Sequence, residues 1–413
     1  MKRLAILVSG DELLYGLIVD RNADWLARRL LRRGYEPVLV LEVGDDLERY
    51  GAALRFAVSA ADVVVTTGGL GPTDDDLTRQ VVAEVAGAPL ERNEEAAEHV
   101  KAILERVGVA LGRDEMRQAL IPAGAEIIPN ERGTACGFSL TTKAPDGRAV
   151  ALFSLSGVPG EARQMYETGV EPRLPAAAPV VWRRLNTMGL SESALQQTVR
   201  SLDLPSEIRV AYQAADYIVS ATFYGRDATV VDAAFARLVA AVEPRRVVSE
   251  GEVTLSEALL AALRLRSRSV ACAESFTGGL AADLITDAAG VSRFFRGGTV
   301  AYSAEAKIAT LGVRPETVES HGVCSERTAL EMARGARRLF RADFAVATTG
   351  VAGPDDLGPE LPAGSAFFAV VGPDDFARTL RKRIPGGRRD VKLRAARTAV
   401  NVLRLAVLDF PTH

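Results

Sequence analysis

The chain has 413 residues, of which 48% are hydrophobic and 25% charged, with a formal net charge of −3. That length predicts two or three domains, each with its own core, and the near-neutral balance leaves no electrostatic footprint for nucleic acid. No 18-residue apolar run occurs and the 3 cysteines form no Cys-x-x-Cys pair, so neither a transmembrane span nor a zinc-binding cysteine cluster is expected. Met1-Lys-Arg leads straight into a strand-like segment rather than a secretory signal, which predicts a cytoplasmic protein. Strand and helix patterns alternate through both halves, which predicts two large α/β domains with helix-covered parallel or mixed sheets.

In chain order, Leu4–Val8 is a strand-like apolar run, and Ser9-Gly-Asp-Glu-Leu-Leu-Tyr-Gly16 follows it. A helix is predicted over 22–33, with Asn22 near its start. Val63–Thr67 reads as a strand that runs into Gly68-Gly-Leu-Gly-Pro-Thr73 and then Asp74, Asp75 and Asp76. Glycines let backbone approach a phosphate, and clustered carboxylates at a strand end can hold a hard divalent cation. The plain alternative is a solvated acidic turn.

Glu171-Pro-Arg-Leu-Pro-Ala-Ala-Ala-Pro179 reads as a linker. Beyond it a small α+β segment is predicted: strand 181–188, helix 191–202, strands 207–213 and 216–223, and helix 230–241. It carries no catalytic constellation, and Met188-Gly-Leu-Ser-Glu-Ser193 within it is a helix-start signal.

The apolar run Ser269–Ala273 enters Ala273-Glu-Ser-Phe-Thr-Gly-Gly279, and a helix-like stretch, Leu280–Thr286, follows. A hydroxyl on such a strand-to-helix turn is either a helix N-cap or an exposed nucleophile flanked by backbone N–H groups. Ser275 is that hydroxyl. Of the three histidines, His99 falls in a charged helical run, His321 in a Ser-His-Gly turn, and His413 is the last residue. A Ser-His-Asp triad would require His321 to fold back. The other common activator is a lysine kept neutral by burial, and Lys307 at the end of Val300-Ala-Tyr-Ser-Ala-Glu-Ala-Lys307 fits that role, with a solvated helix lysine as the alternative. Thr349-Gly-Val-Ala-Gly353 follows the predicted strand Ala345–Thr348, and Arg388 opens a basic helix with Lys392, Arg394 and Arg397. Loop N–H groups and a guanidinium at a helix start suit a phosphate or ribose.

Taken together, Ala273–Gly279, Phe295-Arg-Gly-Gly298, Ala301-Tyr-Ser-Ala-Glu-Ala-Lys307, Thr349-Gly-Val-Ala-Gly-Pro354 and Gly387-Arg388 occur in order and at the right intervals. They closely resemble the C-terminal domain of the CinA (competence/damage-inducible protein A) family, a nicotinamide-mononucleotide (NMN) deamidase domain. The resemblance implies hydrolysis of the NMN carboxamide to nicotinic acid mononucleotide and ammonia. It implies Ser275 as the attacking group, Lys307 as proton shuttle, Tyr302 as a hydrogen-bonding partner, and backbone around Thr277, Gly278 and Gly279 facing the oxyanion. Glu274, Gly297, Gly298, Thr349, Gly350, Gly353 and Arg388 are implied around the substrate. Where the family usually has Cys after the serine, this chain has Phe276, and Cys272 is expected as a small core residue.

The first half resembles the molybdopterin-binding domain of MoaB and MogA proteins, in the form that opens CinA proteins. Supporting blocks are Val43-Gly-Asp-Asp46, Asn130-Glu-Arg-Gly-Thr-Ala135 and Gly157-Val-Pro-Gly-Glu161. In CinA proteins this implies an ADP-ribose pyrophosphatase dependent on magnesium, manganese or cobalt. Asp76 is the implied catalytic and metal residue, with Asp45 or Asp46 beside it, and Gly68, Gly69, Gly71 and Asn22 are placed at the substrate. Two departures stand out: Asp74 where relatives often have His, and Cys136 where a proline is usual. The expected domains are 1–170, a linker plus small α+β domain over 171–250, and 251–413, in a homodimer that binds neither nucleic acid nor membrane. The alternatives are a pterin- or nucleotide-binding protein and a non-catalytic competence or damage-response factor.

Overall fold

The computed structural model describes residues 2–175, 177–215 and 217–410. Ala176 of the predicted linker, Asp216 at the start of a predicted strand and the terminal His413 lie outside the described residues. The chain divides into two compact units, Met1–Val181 and Trp182–His413.

In the first unit, β1 (Lys2–Ser9), β2 (Tyr35–Val43), β3 (Val63–Thr67), β6 (Glu126–Ile128), β7 (Gly137–Lys143) and β8 (Ala149–Leu155) form a sheet in the order β2-β1-β3-β8-β7-β6. A separate ribbon pairs β4 (Leu90–Arg92) with β5 (Leu120–Pro122). β1 is parallel to β2 and β3, and β3 to β8, whereas β7 runs antiparallel to β6 and β8. The β-branched run of β3 is buried along its whole length, as a central strand covered on both faces requires. Alternation splits β1 between two cores. Ala5 and Leu7 pack with Tyr50, Leu54 and Val81, while Leu4, Ile6 and Val8 pack with Leu26, Leu30 and Met165. Parallel strands bring the loops after β1, β3 and β8 to one end of the sheet, where ligand crevices of such folds form.

The second unit opens with a four-stranded sheet of β9 (Val181–Thr187), β10 (Arg209–Ala215), β11 (Ile218–Gly225) and β12 (Val247–Glu250), in the order β10-β11-β9-β12. Helices Glu192–Arg200 and Ala228–Ala241 accompany it, matching the predicted α+β segment. Next comes a sheet of β13 (Val270–Glu274), β14 (Phe295–Val300), β15 (Phe344–Gly350), β16 (Ser365–Val371) and β17 (Ala377–Arg383), in the order β14-β13-β15-β16-β17. β13 is parallel to β14 and β15, and β16 and β17 close the sheet antiparallel. Val270 and Cys272 face the core under helices Leu255–Arg266, Leu280–Thr286 and Arg388–Asp409. Ala271 and Ala273 face the core under Ala304–Leu311 and Glu326–Leu339. The architecture is therefore two helix-covered α/β assemblies with a small α+β sheet. Among the described residues no helix is long and apolar enough to cross a membrane.

Candidate active site

β13 is wholly buried, and the chain turns at its end through Ser275–Gly279 before the helix Leu280–Thr286 begins. Gly278 and Gly279 adopt φ of 65° and 100°, left-handed values that side chains resist, so this sharp reversal needs both glycines. The turn leaves Ser275 only 5% exposed, anchored by its N–H donating to Thr348 O at 3.0 Å on the neighbouring β15.

Lys307 lies on the helix Ala304–Leu311, which Ser303 caps by accepting from Ala306 N. Its ammonium-bearing end enters the interior, leaving the residue 2% exposed, and Nζ donates to Ser275 Oγ at 2.9 Å and to Tyr302 O at 3.3 Å. Burial lowers the Lys307 pKa from its ordinary 10.5, against smaller upward pulls from Cys324 and Glu305. A lysine with a lowered pKa, in contact with a serine hydroxyl, is chemically a nucleophile and base pair.

Glu274 decides the shape of the turn. Its carboxylate, 1% exposed, accepts from Gly279 N at 3.0 Å, Ala281 N at 3.0 Å and Ala282 N at 2.8 Å. Those are the orphan donors of the helix start. Of the expected oxyanion donors over Thr277 to Gly279, two are already bonded within the turn: Gly279 serves Glu274, and Gly278 N donates to Ser275 O at 3.1 Å. Phe276 N and Thr277 N donate to nothing among the described residues. The Thr277 hydroxyl is buried against the Thr348 hydroxyl at 2.7 Å.

Other predicted substrate contacts fall into two groups. Arg388 and Tyr302 come together, Arg388 Nη2 donating to the Tyr302 hydroxyl at 3.0 Å and Nη1 to Gly353 O at 2.7 Å. The Tyr302 ring therefore meets Arg388, and it is the Tyr302 carbonyl that meets Lys307. Thr349, in contrast, is fully buried and spends its hydroxyl on Val323 O at 2.8 Å, tying down the segment beside Lys307. Gly297 and Gly298 pack against Phe340 and Cys272, and Gly350 against the Ser365 carbonyl. At these three positions the missing side chain makes room for close packing within the domain. Lys392 reads from sequence only as part of the basic helix, not among the substrate contacts. Its Nζ lies 3.3 Å from where a Cβ on Gly278 would sit, and with Arg388, Arg389 and Leu280 it lines a cavity of about 340 Å³. Its i+4 spacing from Arg388 was the available signal.

The first unit has a larger cavity of about 980 Å³ at the strand ends, lined by Ser9, Asn22, Gly68, Gly69, Gly71, Asp45, Asp75 and Asp76 among others. Asn22 is held there by its Nδ2 donating to Gly157 O at 2.8 Å. The hydroxyls of Ser9 and Thr67 are buried without a hydrogen-bond partner. Asp76 accepts three hydrogen bonds from its own loop: Oδ1 from Gly71 N at 2.7 Å, and Oδ2 from Thr73 N at 2.8 Å and Thr73 Oγ1 at 2.6 Å. From behind, the buried Arg79 donates to the Leu70 carbonyl and, at 2.8 Å, to Gly71 O, and burial pulls its pKa down to about 10. Asp46 caps the helix Leu47–Ala60 through Arg49 N at 2.8 Å. Asp45 faces the cavity, and its pKa is raised by burial, opposed by the Asp11 N–H bond and reinforced by the charges of Asp11, Glu12 and Asp75. Among the described residues no three His, Cys, Asp or Glu side chains are grouped to hold a metal ion. Of the expected metal residues, Asp45 and Asp76 both line the cavity, Asp76 also shaping its own loop, whereas Asp46 is spent on capping a helix.

Residues 252–407 match the family described as "CinA C-terminal domain", and residues 5–176 match "Probable molybdopterin binding domain". A CinA-like protein of Anaeromyxobacter dehalogenans is 38% identical over 98% of this chain and 100% of its own length. One from Geotalea daltonii is 36% identical over 99% and 100%. The crystal structure of competence/damage inducible protein CihA from Agrobacterium tumefaciens is 38% identical, covering 36% of this chain and 90% of its own, with a TM-score of 0.35. The chain belongs to the CinA family, carrying a MoaB/MogA-like N-terminal domain and a CinA C-terminal domain.

Proposed function

We propose that the C-terminal domain is a nicotinamide-nucleotide amidohydrolase that converts NMN to nicotinic acid mononucleotide and ammonia. The observation that carries this reading is the buried 2.9 Å contact from Lys307 Nζ to Ser275 Oγ, at a lysine whose pKa is lowered by burial. Neutral Lys307 takes the Ser275 proton as Oγ attacks the carboxamide carbon, and the resulting ammonium returns the proton to the departing ammonia. Water, deprotonated by the same amine, then attacks the acyl-serine, and the proton returns to Ser275 Oγ as the acid leaves. The free N–H groups of Phe276 and Thr277 are the oxyanion donors, and Arg388 with Lys392 supplies positive charge for the 5′-phosphate. Release of ammonia from NMN by the purified protein, lost by several orders of magnitude in Ser275→Ala, tests the assignment. Near-wild-type release from that variant would refute it.

For the N-terminal domain the corresponding reading is an ADP-ribose pyrophosphatase that contributes to the same recycling of pyridine nucleotides. It is supported by the Gly68–Gly71 loop at the end of β3 and by the unpartnered Ser9 hydroxyl, which lines the cavity. Both suit a phosphate-bearing ligand. The loop would offer backbone N–H to the phosphates, Asp76 with Arg79 holds it in shape, and Asp45 and Asp76 at the cavity would hold the divalent cation that draws charge from the pyrophosphate. AMP release from ADP-ribose, assayed with magnesium, manganese and cobalt in turn, tests it. No AMP with any of the three would leave a ligand-binding domain.

A further inference from the structure

Arg334, Arg337 and Arg338 lie on the helix Glu326–Leu339, and Arg341 follows two residues beyond its end. The i, i+3 and i+4 spacing of Arg334, Arg337 and Arg338 puts three of them on one helix face, an arrangement that like-charge repulsion disfavours, and Arg341 joins them at the cavity. With Asp375 and Phe376 from the β16–β17 connection they line a cavity of about 480 Å³, four cations against one carboxylate. Arg337 Nε donates to Asp343 O at 2.9 Å and Arg338 Nη2 to Leu311 O at 3.4 Å. The side chains of Arg334 and Arg341 have no hydrogen-bond or ion-pair partner among the described residues.

Basic groups in a last helical turn complement the helix dipole, which accounts for Arg337 and Arg338. It does not account for Arg334, a turn earlier, or for Arg341 beyond the helix. Arg341 also holds φ at 49°, a left-handed conformation that glycine or asparagine would occupy more easily at the cost of the fourth charge. The cavity lies away from Ser275. Val371 pairs with Ala345 at the start of β15, whereas Ser275 meets Thr348 toward its other end.

We propose that this arginine cavity is an anion site, separate from the deamidase centre, for a small molecule that carries two or more linked phosphates. Guanidiniums one helical turn apart, about 5.4 Å along the axis, can each engage a different phosphate with two N–H donors. The remaining volume of the cavity leaves room for an organic group. Exposure makes the attraction salt-sensitive.

Inorganic triphosphate is the probe, titrated calorimetrically into the full-length protein at low ionic strength. Wild-type protein should show a binding event that weakens by about tenfold for each guanidinium removed in Arg334→Gln/Arg341→Gln. The charge-matched control, Arg226→Gln/Arg237→Gln, should keep it. Hydrogen exchange locates the site independently of any variant, with triphosphate expected to protect residues 334–342. Unchanged binding in the Arg334/Arg341 variant, equal weakening in the control, or no protection over 334–342 would each overturn the proposal.

Discussion

Glu274→Gln is the most searching change to make in this protein, because it alters one buried charge and almost no volume. The carboxylate accepts three backbone N–H groups at the start of helix Leu280–Thr286, two on Oε2 and one on Oε1. The amide can keep one oxygen for the Gly279 and Ala281 pair, but its NH2 then faces the Ala282 N–H. A hydrogen bond to a charged acceptor contributes about 1.5–3 kcal/mol, and a buried donor left unpaired costs about 1–3 kcal/mol. Loss of negative charge at a helix N-terminus adds about 0.3–1 kcal/mol. Part of this is recovered by local relaxation, so a destabilisation of about 3 kcal/mol is expected, or roughly 6–12 °C in the unfolding midpoint of a domain of this size. Calorimetric unfolding of wild type and variant measures it, followed with and without NMN. Ammonia release should also fall well below the melting range, since Ser275 rides on the turn that the carboxylate shapes. A midpoint within a degree of wild type, with unchanged turnover, would refute the claim that Glu274 organises the site.

The lowered Lys307 pKa gives deamidation a sign: only the neutral amine accepts the Ser275 proton, so turnover should rise with pH through the depressed value and level off before 10.5. The same shift makes stability increase with pH across that window, because the unfolded chain then binds more protons than the folded one. Lys307→Arg should release almost no ammonia, since guanidinium stays charged, and an active arginine variant would reduce the lysine to a binding role. Arg388→Ala should raise KM for NMN more than it lowers kcat, with a loss of about tenfold or more in kcat/KM, and an equal loss on nicotinamide riboside would show that no phosphate is sensed. Asp76→Asn should loosen the Gly68–Gly71 loop and weaken ADP-ribose binding by calorimetry while leaving NMN turnover intact, because the two residues lie in separate units.

Much of this molecule is legible in the linear chain, because local chemistry suffices wherever a short segment decides its own conformation. The β-branched Val63–Thr67, the paired glycines at 278–279 and the Ser303 cap declare strand, turn and helix without help from distant residues. The ordered blocks around Ser275 and Lys307 likewise single out two side chains that the fold brings into contact, although 32 residues separate them. What the chain alone leaves open is how each polar group is spent, since that depends on partners brought by other strands. Glu274 looks like a ligand contact and turns out to cap a helix; Thr349 looks like a phosphate donor and is consumed by Val323. Asp76 reads from sequence as a metal residue alone, and the fold shows that it also ties its own loop through Gly71 and Thr73. Gly297 and Gly298 follow the same logic, as their missing side chains make room for Phe340 beyond the helix Glu326–Leu339 and for Cys272, the latter a contact that exists only once β14 lies beside β13. Burial is the last property that only the fold decides: the packed interior around Lys307 is what lowers its pKa, and no local feature of the chain announces that.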